Sequence, residues 1–393
     1  MNWVDVLVLT LALFAGISGA RQGMVTAVAS FVGVLAGAVI GVRIAPSLVA
    51  QFQSPAIRVA FGVTIVILLV ALGETLGVWL GRVTRNRIDG ERLRQVDSML
   101  GAVVQGMAAL VVAWLVALPL TSSAYPGLVA GVRDSRVLRV VDTVMPNTLR
   151  QLPDELTKLL DVSGFPNVLG PFSSTPITDV GPGDPALADS PVARKARSSV
   201  LKVRGRAPSC SRALEGTAFV IAPDRVITNA HVVAGTSEVS VETSDGVMSA
   251  EVVRYDPETD AAILKVPGLK APTLKLASEP ATTGTDALVL GYPLDGPFTP
   301  SSARVRERIK LRGPDIYNTT TVVRDVYTVR ASVRSGNSGG PLIDETGHVL
   351  GMVFGAAVDN EETGFVLTDT EIAEDVAAAP RLTDEVPTGQ CAS

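Results

Sequence analysis

The stretch RSGNSGGPLID, from Arg334 to Asp344, sets Ser338 among glycines and leads directly into an apolar run. Glycines let the backbone turn its N–H groups inward without steric cost. From about residue 192 to the end, short segments rich in Val, Ile and Thr alternate with Gly, Asp and Pro. This pattern is typical of an all-β barrel or sandwich. About 200 residues are enough for two six-stranded barrels, which is the fold we expect for this half.

Two earlier motifs complete a catalytic pattern with Ser338. TNAHVV contains His231, and DPETDAAILKV contains Asp260 just before an apolar strand, so His, Asp and Ser follow one another 29 and 78 residues apart. A serine hydroxyl is a weak nucleophile that needs a neutral imidazole as its base. The imidazole needs a carboxylate to hold its tautomer. We therefore predict a catalytic triad of His231, Asp260 and Ser338.

The glycine-rich loop around Ser338 supplies the remaining requirement of acyl transfer. The tetrahedral intermediate needs N–H donors aimed at its oxyanion. We assign this oxyanion hole to the backbone N–H groups of Gly336 and Ser338. Asp256 is a rival to Asp260, although it fits better as a residue of the DPET turn. His348 follows the turn DETG, and we interpret it as a surface strand residue.

The composition excludes several classes of protein. The chain has 393 residues, of which 47% are hydrophobic and only 19% charged, so it is not a disordered chain. A net charge of -5 argues against binding to nucleic acid, which usually needs a basic surface. Two cysteines and two histidines are too few for a zinc ribbon or a histidine-rich site. We therefore expect no metal and no cofactor.

The excess hydrophobicity lies in the first 120 residues, which predict an all-α domain of four transmembrane helices. A span needs about 20 apolar residues. The runs are Trp3–Ala20, Met24–Val42, Arg58–Leu80 and Ser98–Leu118. The first run could also be read as a signal peptide, but it lacks a basic start and further spans follow at once.

Arginine distribution orients the four spans. The connection RVTRNRIDGERLRQVD carries five arginines, and Arg21 sits in the first tight turn. Arginine excess marks the cytoplasmic side. The chain is thus expected to start outside, cross four times and send everything after about Leu120 to the extracytoplasmic side. Contact with membrane lipid follows from this topology.

Two features of the spans have more than one interpretation. Glycines recur every fourth residue at Gly33, Gly37 and Gly41, and again at residues 73, 77 and 81. This spacing lets helices approach closely, either within the bundle or between copies in an oligomer. Glu74 is a carboxylate inside the third span, and such residues are functional candidates by default. A polar contact between helices explains it equally well.

Both halves resemble known families. The four glycine-rich spans with an arginine-rich inner loop resemble the CvpA (colicin V production) membrane proteins over about residues 1–160. TNAHVV, TDAAILKV and GNSGGPL are similar to the motifs of trypsin/chymotrypsin-like serine proteases of the HtrA (DegP-like) branch, over about residues 196–380. Together they resemble the MarP-like membrane-anchored periplasmic proteases of actinobacteria, a family associated with survival of acid and oxidative stress. Autocleavage and assembly are steps on which acid could act. Because only about 55 residues follow Ser338, we expect none of the PDZ domains usual in HtrA proteins.

We divide the chain into four parts. Residues 1–120 form the membrane domain, and residues 121–162 form short amphipathic helices, either on the membrane surface or as spacers. Residues 163–192 are dense in Pro, Gly, Ser and Asp, which is typical of an exposed linker. Residues 193–393 form the trypsin-like protease domain, a chymotrypsin-like double β-barrel.

Cys210 and Cys391 are predicted to form a disulfide, because the topology places both in an oxidising compartment. Two unpaired thiols are the alternative. The bond would tie the C-terminal tail to the first barrel and make activity redox-sensitive.

The side-chain pocket of trypsin-like folds is walled by residues before the serine and by the strand after it. No carboxylate stands at its base, so a medium apolar residue is preferred over Lys or Arg as the residue before the cleaved bond. The predicted pocket residues are Ser332, Val333, Val353, Phe354 and Gly355.

The sequence thus predicts an extracytoplasmic serine endopeptidase acting on protein substrates in the periplasm or cell wall, with no nucleic-acid partner. A membrane scaffold whose β domain only binds peptides is the main alternative. A transporter built around Glu74 is a weaker one.

Overall fold

The structure is a computed structural model. It describes residues 2–49, 55–85, 91–121, 126–145, 168–170, 172–210, 212–244 and 246–392. The chain forms two compact units, Met1–Val162 with Pro171–Ser173 and Ser163–Gly170 with Ser174–Ser393.

The first unit is helical. Its helices are α1 (Trp3–Gln22), α2 (Met24–Val49), α3 (Pro55–Arg85), α4 (Glu91–Leu120), α5 (Pro126–Arg133) and α6 (Arg136–Val144). Four of them are long and apolar enough to span a bilayer, over Trp3–Gln22, Met24–Val49, Thr64–Arg85 and Leu93–Leu118. The predicted all-α membrane domain is confirmed as a fold, and its helices are longer than the apolar runs. Within the predicted amphipathic region, α5 and α6 are short helices, while residues 146–162 lie outside the described part.

The glycines explain how α2 and α3 pack. A Cβ on Gly33 would collide with the backbone of Gly73, and one on Gly37 would collide with the backbone of Leu69. Gly77 lies in the same way against the backbone of Ala29. These glycine faces are therefore occupied within one chain. This matches the interpretation of packing within the bundle, and an oligomer through these faces stays a prediction.

Polar side chains fasten the ends of the helical unit. Asp97 of α4 accepts a hydrogen bond from Arg85 Nε at 2.9 Å and from the N–H of Val25 at 3.2 Å. At the other end, buried Asp5 accepts from the Ser135 hydroxyl at 2.6 Å. Glu74 lies near the middle of its span, and its side chain is exposed on the surface of the unit.

The second unit contains two closed β-barrels, which confirms the predicted double barrel. The first has the strand order β1-β2-β3-β6-β5-β4, and the second has the order β10-β11-β12-β9-β8-β7. The strands of the first barrel are β1 (Val200–Ala207), β2 (Arg212–Ala222), β3 (Arg225–Thr228), β4 (Glu238–Thr243), β5 (Gly246–Asp256) and β6 (Ala261–Lys265). Those of the second are β7 (Asp286–Gly291), β8 (Thr299–Pro314), β9 (Thr321–Arg330), β10 (Pro341–Ile343), β11 (Val349–Ala356) and β12 (Thr363–Thr368).

Each barrel has its own apolar interior, and a third cluster joins them. Val203, Val241 and Leu264 belong to the first interior. The third cluster takes side chains from both barrels, such as Phe219 and Phe354. Because alternate strand residues point to opposite faces, one strand can serve a barrel interior and this shared cluster at once. Three short helices complete the unit, α7 (Pro191–Ala196), α8 (Ala230–Val233) and α9 (Asp369–Ala378).

The Pro/Gly-rich segment, predicted to be an exposed linker, is largely exposed and makes hydrogen bonds to side chains of the second barrel. The backbone of Thr175 donates to Asp359 at 2.9 Å. Arg306 donates to the carbonyl of Thr178 at 2.9 Å, and Arg330 donates to that of Val180 at 2.8 Å. Residues 174–192 thus lie along the second barrel, held by main-chain hydrogen bonds that need no apolar core of their own. Residues 163–167 lie outside the described part.

Candidate active site

His231 and Asp260 are brought together by adjacent strands of the first barrel. Antiparallel pairing of β3 with β6 sets Thr228, three residues before His231, opposite Ala262, two residues after Asp260. Asp260 Oδ2 lies 2.8 Å from His231 Nδ1, and Asp260 Oδ1 accepts the backbone N–H of His231 at 3.0 Å. Asp260 is fully buried and His231 nearly so. The carboxylate can therefore hold the ring orientation and keep the proton on Nδ1, which leaves Nε2 to act as a base.

The backbone of Asp260 is itself unusual. Its φ of 65° lies in the left-handed region, which a residue with a Cβ adopts only where its surroundings hold it. The buried side-chain amide of Asn229 donates to the Asp260 carbonyl at 2.8 Å and supplies one such contact. Asn229 stands inside the motif TNAHVV, but nothing in its spacing marks it as a site residue.

Asp256, the alternative to Asp260, makes different contacts. Asp256 Oδ1 accepts from the N–H of Glu258 at 2.9 Å and from that of Thr259 at 3.2 Å. It therefore caps the DPET turn, while Asp260 contacts the imidazole. The second histidine, His348, is 46% exposed and contacts the Thr346 hydroxyl, in the hairpin behind β10.

Arg324 supports the same turn from the second barrel. Its Nε donates to the carbonyl of Glu258 at 2.7 Å, and its guanidinium lies 5.8 Å from the centre of the Phe354 ring. Burial lowers the pKa of Arg324, and the negative charge of Asp260 acts in the opposite direction. This buried cation carries no local motif, so the sequence could not mark it.

The loop that carries Ser338 depends on two glycines. Gly336 has φ 92° and Gly339 has φ 80°, in the left-handed region that favours glycine. A Cβ on Gly336 would collide with the carbonyl oxygen of Tyr292, and one on Gly339 with that of Thr217. Within the described part of the chain, the N–H groups of Gly336 and Ser338 donate to no acceptor. Two unpaired donors beside a serine are what an oxyanion hole requires.

Thr217 of β2 ties this loop to the first barrel. Its hydroxyl donates to the carbonyl of Gly336 at 2.6 Å and accepts the N–H of Tyr292 at 3.1 Å. Its own N–H donates to the carbonyl of Ser338 at 2.8 Å. One fully buried residue therefore fixes both Ser338 and Gly336 against the barrel that carries His231.

His231 is not hydrogen-bonded to Ser338 in this structure. His231 Nε2 is buried and has no hydrogen-bond partner among the described residues, Ser338 included. Such contacts are often long in unliganded enzymes and tighten when substrate binds.

The predicted pocket residues have mixed surroundings. Val333 and Val353 belong to the interior of the second barrel, and Phe354 to the cluster shared by both barrels. Their side chains are thus buried in apolar clusters, and their role as walls of a specificity pocket stays a prediction. Ser332 is exposed, and Gly355 is covered by the Val168 side chain.

The C-terminal tail lies beside the helix that carries His231. A disulfide joins Cys210 to Cys391, whose Cα atoms are 6.4 Å apart. Gly235, just after α8, donates its N–H to the carbonyl of Thr388 at 2.9 Å. A Cβ on Gly235 would touch Cys391, so the tail and the end of the His231 helix are in direct contact.

Both halves of the chain match families of known proteins. Residues 216–352 match the trypsin-like peptidase domain, and residues 4–146 match the colicin V production protein family. Serine protease Rv3671c of Mycobacterium tuberculosis is 50% identical over 394 residues, covering 100% of this chain and 99% of that protein. A probable periplasmic serine endoprotease, DegP-like, from Pseudomonas putida is 34% identical over 41% of this chain and 33% of its own length.

The similarity extends to a solved structure. The crystal structure of the Rv3671c protease in its active form matches with a TM-score of 0.55 and 56% identity, covering 57% of this chain and 99% of that one. The full-length likeness and the two family matches agree. The chain therefore belongs to the Rv3671c (MarP-like) family of serine proteases.

Proposed function

We propose that this serine protease is anchored in the cytoplasmic membrane and cleaves proteins outside the cytoplasm through a triad of His231, Asp260 and Ser338. The observation that carries the proposal is the buried carboxylate–imidazole pair at 2.8 Å, in the same unit as a serine loop with two unpaired N–H groups. A domain that only bound peptides would not need a carboxylate to orient a histidine.

The chemistry follows from these groups. His231 Nε2 takes the Ser338 hydroxyl proton as the serine oxygen attacks the substrate carbonyl. Asp260 stabilises the imidazolium that forms, and the N–H groups of Gly336 and Ser338 stabilise the oxyanion. The imidazolium then donates its proton to the leaving amine, which yields an acyl-enzyme. Water, activated by the same imidazole, releases the acid and restores the serine.

The proposed location rests on the helical unit. Four apolar helices and an arginine-rich connection between α3 and α4 favour an anchor whose last helix exits away from the cytoplasm. The four spans within residues 1–120 would then lie in lipid, and the connection between α3 and α4 would lie in the cytoplasm. Residues 121–162 would run on the membrane surface or serve as spacers, and the protease unit would lie outside the cytoplasm. From the family resemblance, we further propose a role in the response to acid and oxidative stress. An apolar residue before the cleaved bond remains the preferred substrate feature.

Covalent labelling tests the proposal. The full-length protein in detergent is treated with a fluorophosphonate, alongside Ser338→Ala and His231→Ala, in oxidised and reduced form and over mildly acidic to alkaline pH. We expect labelling of the unaltered protein alone. A folded protein that is never labelled would favour the peptide-binding scaffold. Equal labelling of Ser338→Ala would place the nucleophile elsewhere.

Two further measurements address location and substrate. A cysteine-free background with single cysteines placed after Leu120 and in the α3–α4 connection, probed with an impermeant thiol reagent on intact cells, should label only the first. Labelling of the connection instead would reverse the topology. A peptide library should then be cleaved after apolar residues, and cleavage mainly after Lys or Arg would refute the proposed preference.

A further inference from the structure

Two consecutive residues beside the nucleophile loop have a backbone conformation that side chains normally avoid. Leu294 has φ 55° and ψ 40°, and Asp295 has φ 55°. The left-handed region is unfavourable for residues with a Cβ and persists only where the surroundings hold it. The Leu294 side chain is 66% exposed, so its own packing does not hold the turn. The polar contacts of the turn must do so.

This turn orients the peptide that supplies an oxyanion donor. The N–H of Leu294 donates to the carbonyl of Ser335 at 2.7 Å. The Ser335 carbonyl and the Gly336 N–H belong to one planar trans peptide, so they point in opposite directions. Fixing the Ser335 oxygen therefore fixes the direction of the Gly336 N–H.

Lys202, on β1 of the first barrel, holds the turn in place. Its ammonium donates to the backbone carbonyl of Asp295 at 2.8 Å and to Asp295 Oδ1 at 2.7 Å. Lys202 is buried, at 7% exposure, so its charge acts in a poorly solvated position. The ammonium also lies 5.4 Å from the centre of the Tyr292 ring, which packs at the start of the same turn.

Other charges nearby are less well placed to do this. Arg204 contacts Asp295 Oδ1 at 3.1 Å, but it is 44% exposed and also pairs with Glu215 and Glu242. Exposed and shared pairs hold geometry weakly. The hydrogen bond from Lys202 is the main reason that the pKa of Asp295 lies below its usual value.

We propose that Lys202 is a positioning residue for the oxyanion hole: it holds the left-handed Leu294–Asp295 turn, and the turn holds the Ser335–Gly336 peptide with its N–H available to substrate. The inference rests on the oxyanion role proposed above for Gly336. Without the ammonium, Leu294 and Asp295 relax toward allowed backbone conformations and the bond to Ser335 is lost. The Gly336 N–H then no longer points where the oxyanion forms.

The test uses the full-length protein in detergent and peptide hydrolysis. Lys202→Met keeps the length of the side chain and removes its charge. We expect kcat to fall about 10- to 100-fold with KM unchanged. This decrease in kcat is at most as large as the one that typically follows removal of an oxyanion donor. Lys202→Arg should recover part of the rate. Lys265→Met is the matched control, because Lys265 also forms an ion pair in the first barrel, with Glu251 at 2.9 Å, but contacts neither the turn nor the serine loop.

Two readouts separate positioning from general stability. A peptide boronate places an oxygen in the oxyanion hole, so its affinity should fall together with kcat in Lys202→Met. The affinity of the peptide primary amide, an uncharged analogue of the acid product, should not fall. Adding Leu294→Gly to Lys202→Met should restore activity, because glycine adopts the left-handed region without cost. Should Lys202→Met fail to fold, Asp295→Asn keeps the lysine and the backbone acceptor and should give a smaller loss of kcat with the same unchanged KM.

The outcomes are distinct. A Lys202→Met enzyme with the kcat and boronate affinity of Lys265→Met overturns the inference, and so does a loss that Leu294→Gly leaves unchanged in a protein of unaltered melting temperature. If Ser338→Ala abolishes hydrolysis in the same assay, either result leaves the proposed triad intact. If Ser338→Ala retains hydrolysis, the proposed function itself fails.

Discussion

Removing the Cys210–Cys391 disulfide should weaken the protease unit and slow its chemistry. The cysteines are 181 residues apart in sequence, and the chain-entropy model assigns a loop of that length a stabilisation of about 5 kcal/mol. Measured effects are commonly smaller, about 2–5 kcal/mol for native disulfides. We therefore expect a Cys210→Ser/Cys391→Ser variant to lose stability within that range.

The structure also predicts where the loss is felt. The tail contacts Gly235, four residues after His231, through the Thr388 carbonyl and Cys391. It also receives a hydrogen bond from the Tyr317 hydroxyl at the carbonyl of Gln390, at 3.1 Å. Without the disulfide, the tail is held only by such noncovalent contacts. The end of α8 is then less firmly supported. Misplacement of the base should lower kcat more than it raises KM.

The assay compares fluorophosphonate labelling rates and thermal unfolding of the full-length protein with and without a reductant. When reduced, the unaltered protein should be labelled more slowly and should unfold at a lower temperature. Reoxidation should restore both the labelling rate and the unfolding midpoint. The double serine variant should have the labelling rate and unfolding midpoint of the reduced protein, and the reductant should change neither. Equal labelling rates and equal unfolding midpoints for all four samples would refute the argument, as would free thiols at both positions in non-reduced peptide maps.

Three further predictions follow from single contacts. Asp260→Asn should lower kcat by about 10⁴-fold with little change in fold, because the wrong imidazole tautomer is then favoured; a circular dichroism spectrum checks the fold, and a loss below tenfold would contradict the pairing. Arg308 holds the pKa of Asp325 below its usual 3.8, so this carboxylate stabilises the fold above that pH and the contribution is lost as pH falls through the lowered pKa. Asp325→Asn should therefore destabilise the protein at pH 7 and flatten its acid unfolding curve, and parallel curves would refute this. Gly73→Leu should separate α2 from α3 and lower the yield of folded protein in membranes, whereas Leu72→Ala on the exposed face should not.

The parts of the candidate site that depend on short motifs could be predicted from the sequence. Ser338, Gly336 and Gly339 lie within four residues, and their chemistry needs that spacing whatever surrounds it. His231 and Asp260 each end or begin an apolar strand, so strand pairing brings them to one edge. The double barrel is predicted by short segments rich in Val, Ile and Thr that are separated by Gly, Asp and Pro, because this pattern is typical of barrels and sandwiches.

The residues that hold the loop in place could not be found in this way. Thr217 and Lys202 lie more than 100 positions before Ser338, and neither stands in a motif. Leu294 takes a left-handed backbone that sequence reasoning reserves for Gly, Asn and Asp. Position relative to Ser338 likewise does not say whether the Val353 side chain points into the barrel or out of it, since that depends on the register of β11.

The hydrogen bonds of the Pro/Gly-rich segment bear on how a protease fragment should be designed. Arg306 is 3% exposed, and its Nη1 donates to the carbonyl of Thr178; Arg330 donates likewise to Val180. A protease fragment that began at Val192 would leave both guanidinium groups without those acceptors, and a buried donor such as Arg306 that loses its partner destabilises the fold. We therefore propose that a stable protease fragment has to begin near Thr175. A shorter fragment that fails to react with a fluorophosphonate would report the loss of residues 175–192, so only a fragment that retains them, or the full chain, can test the triad.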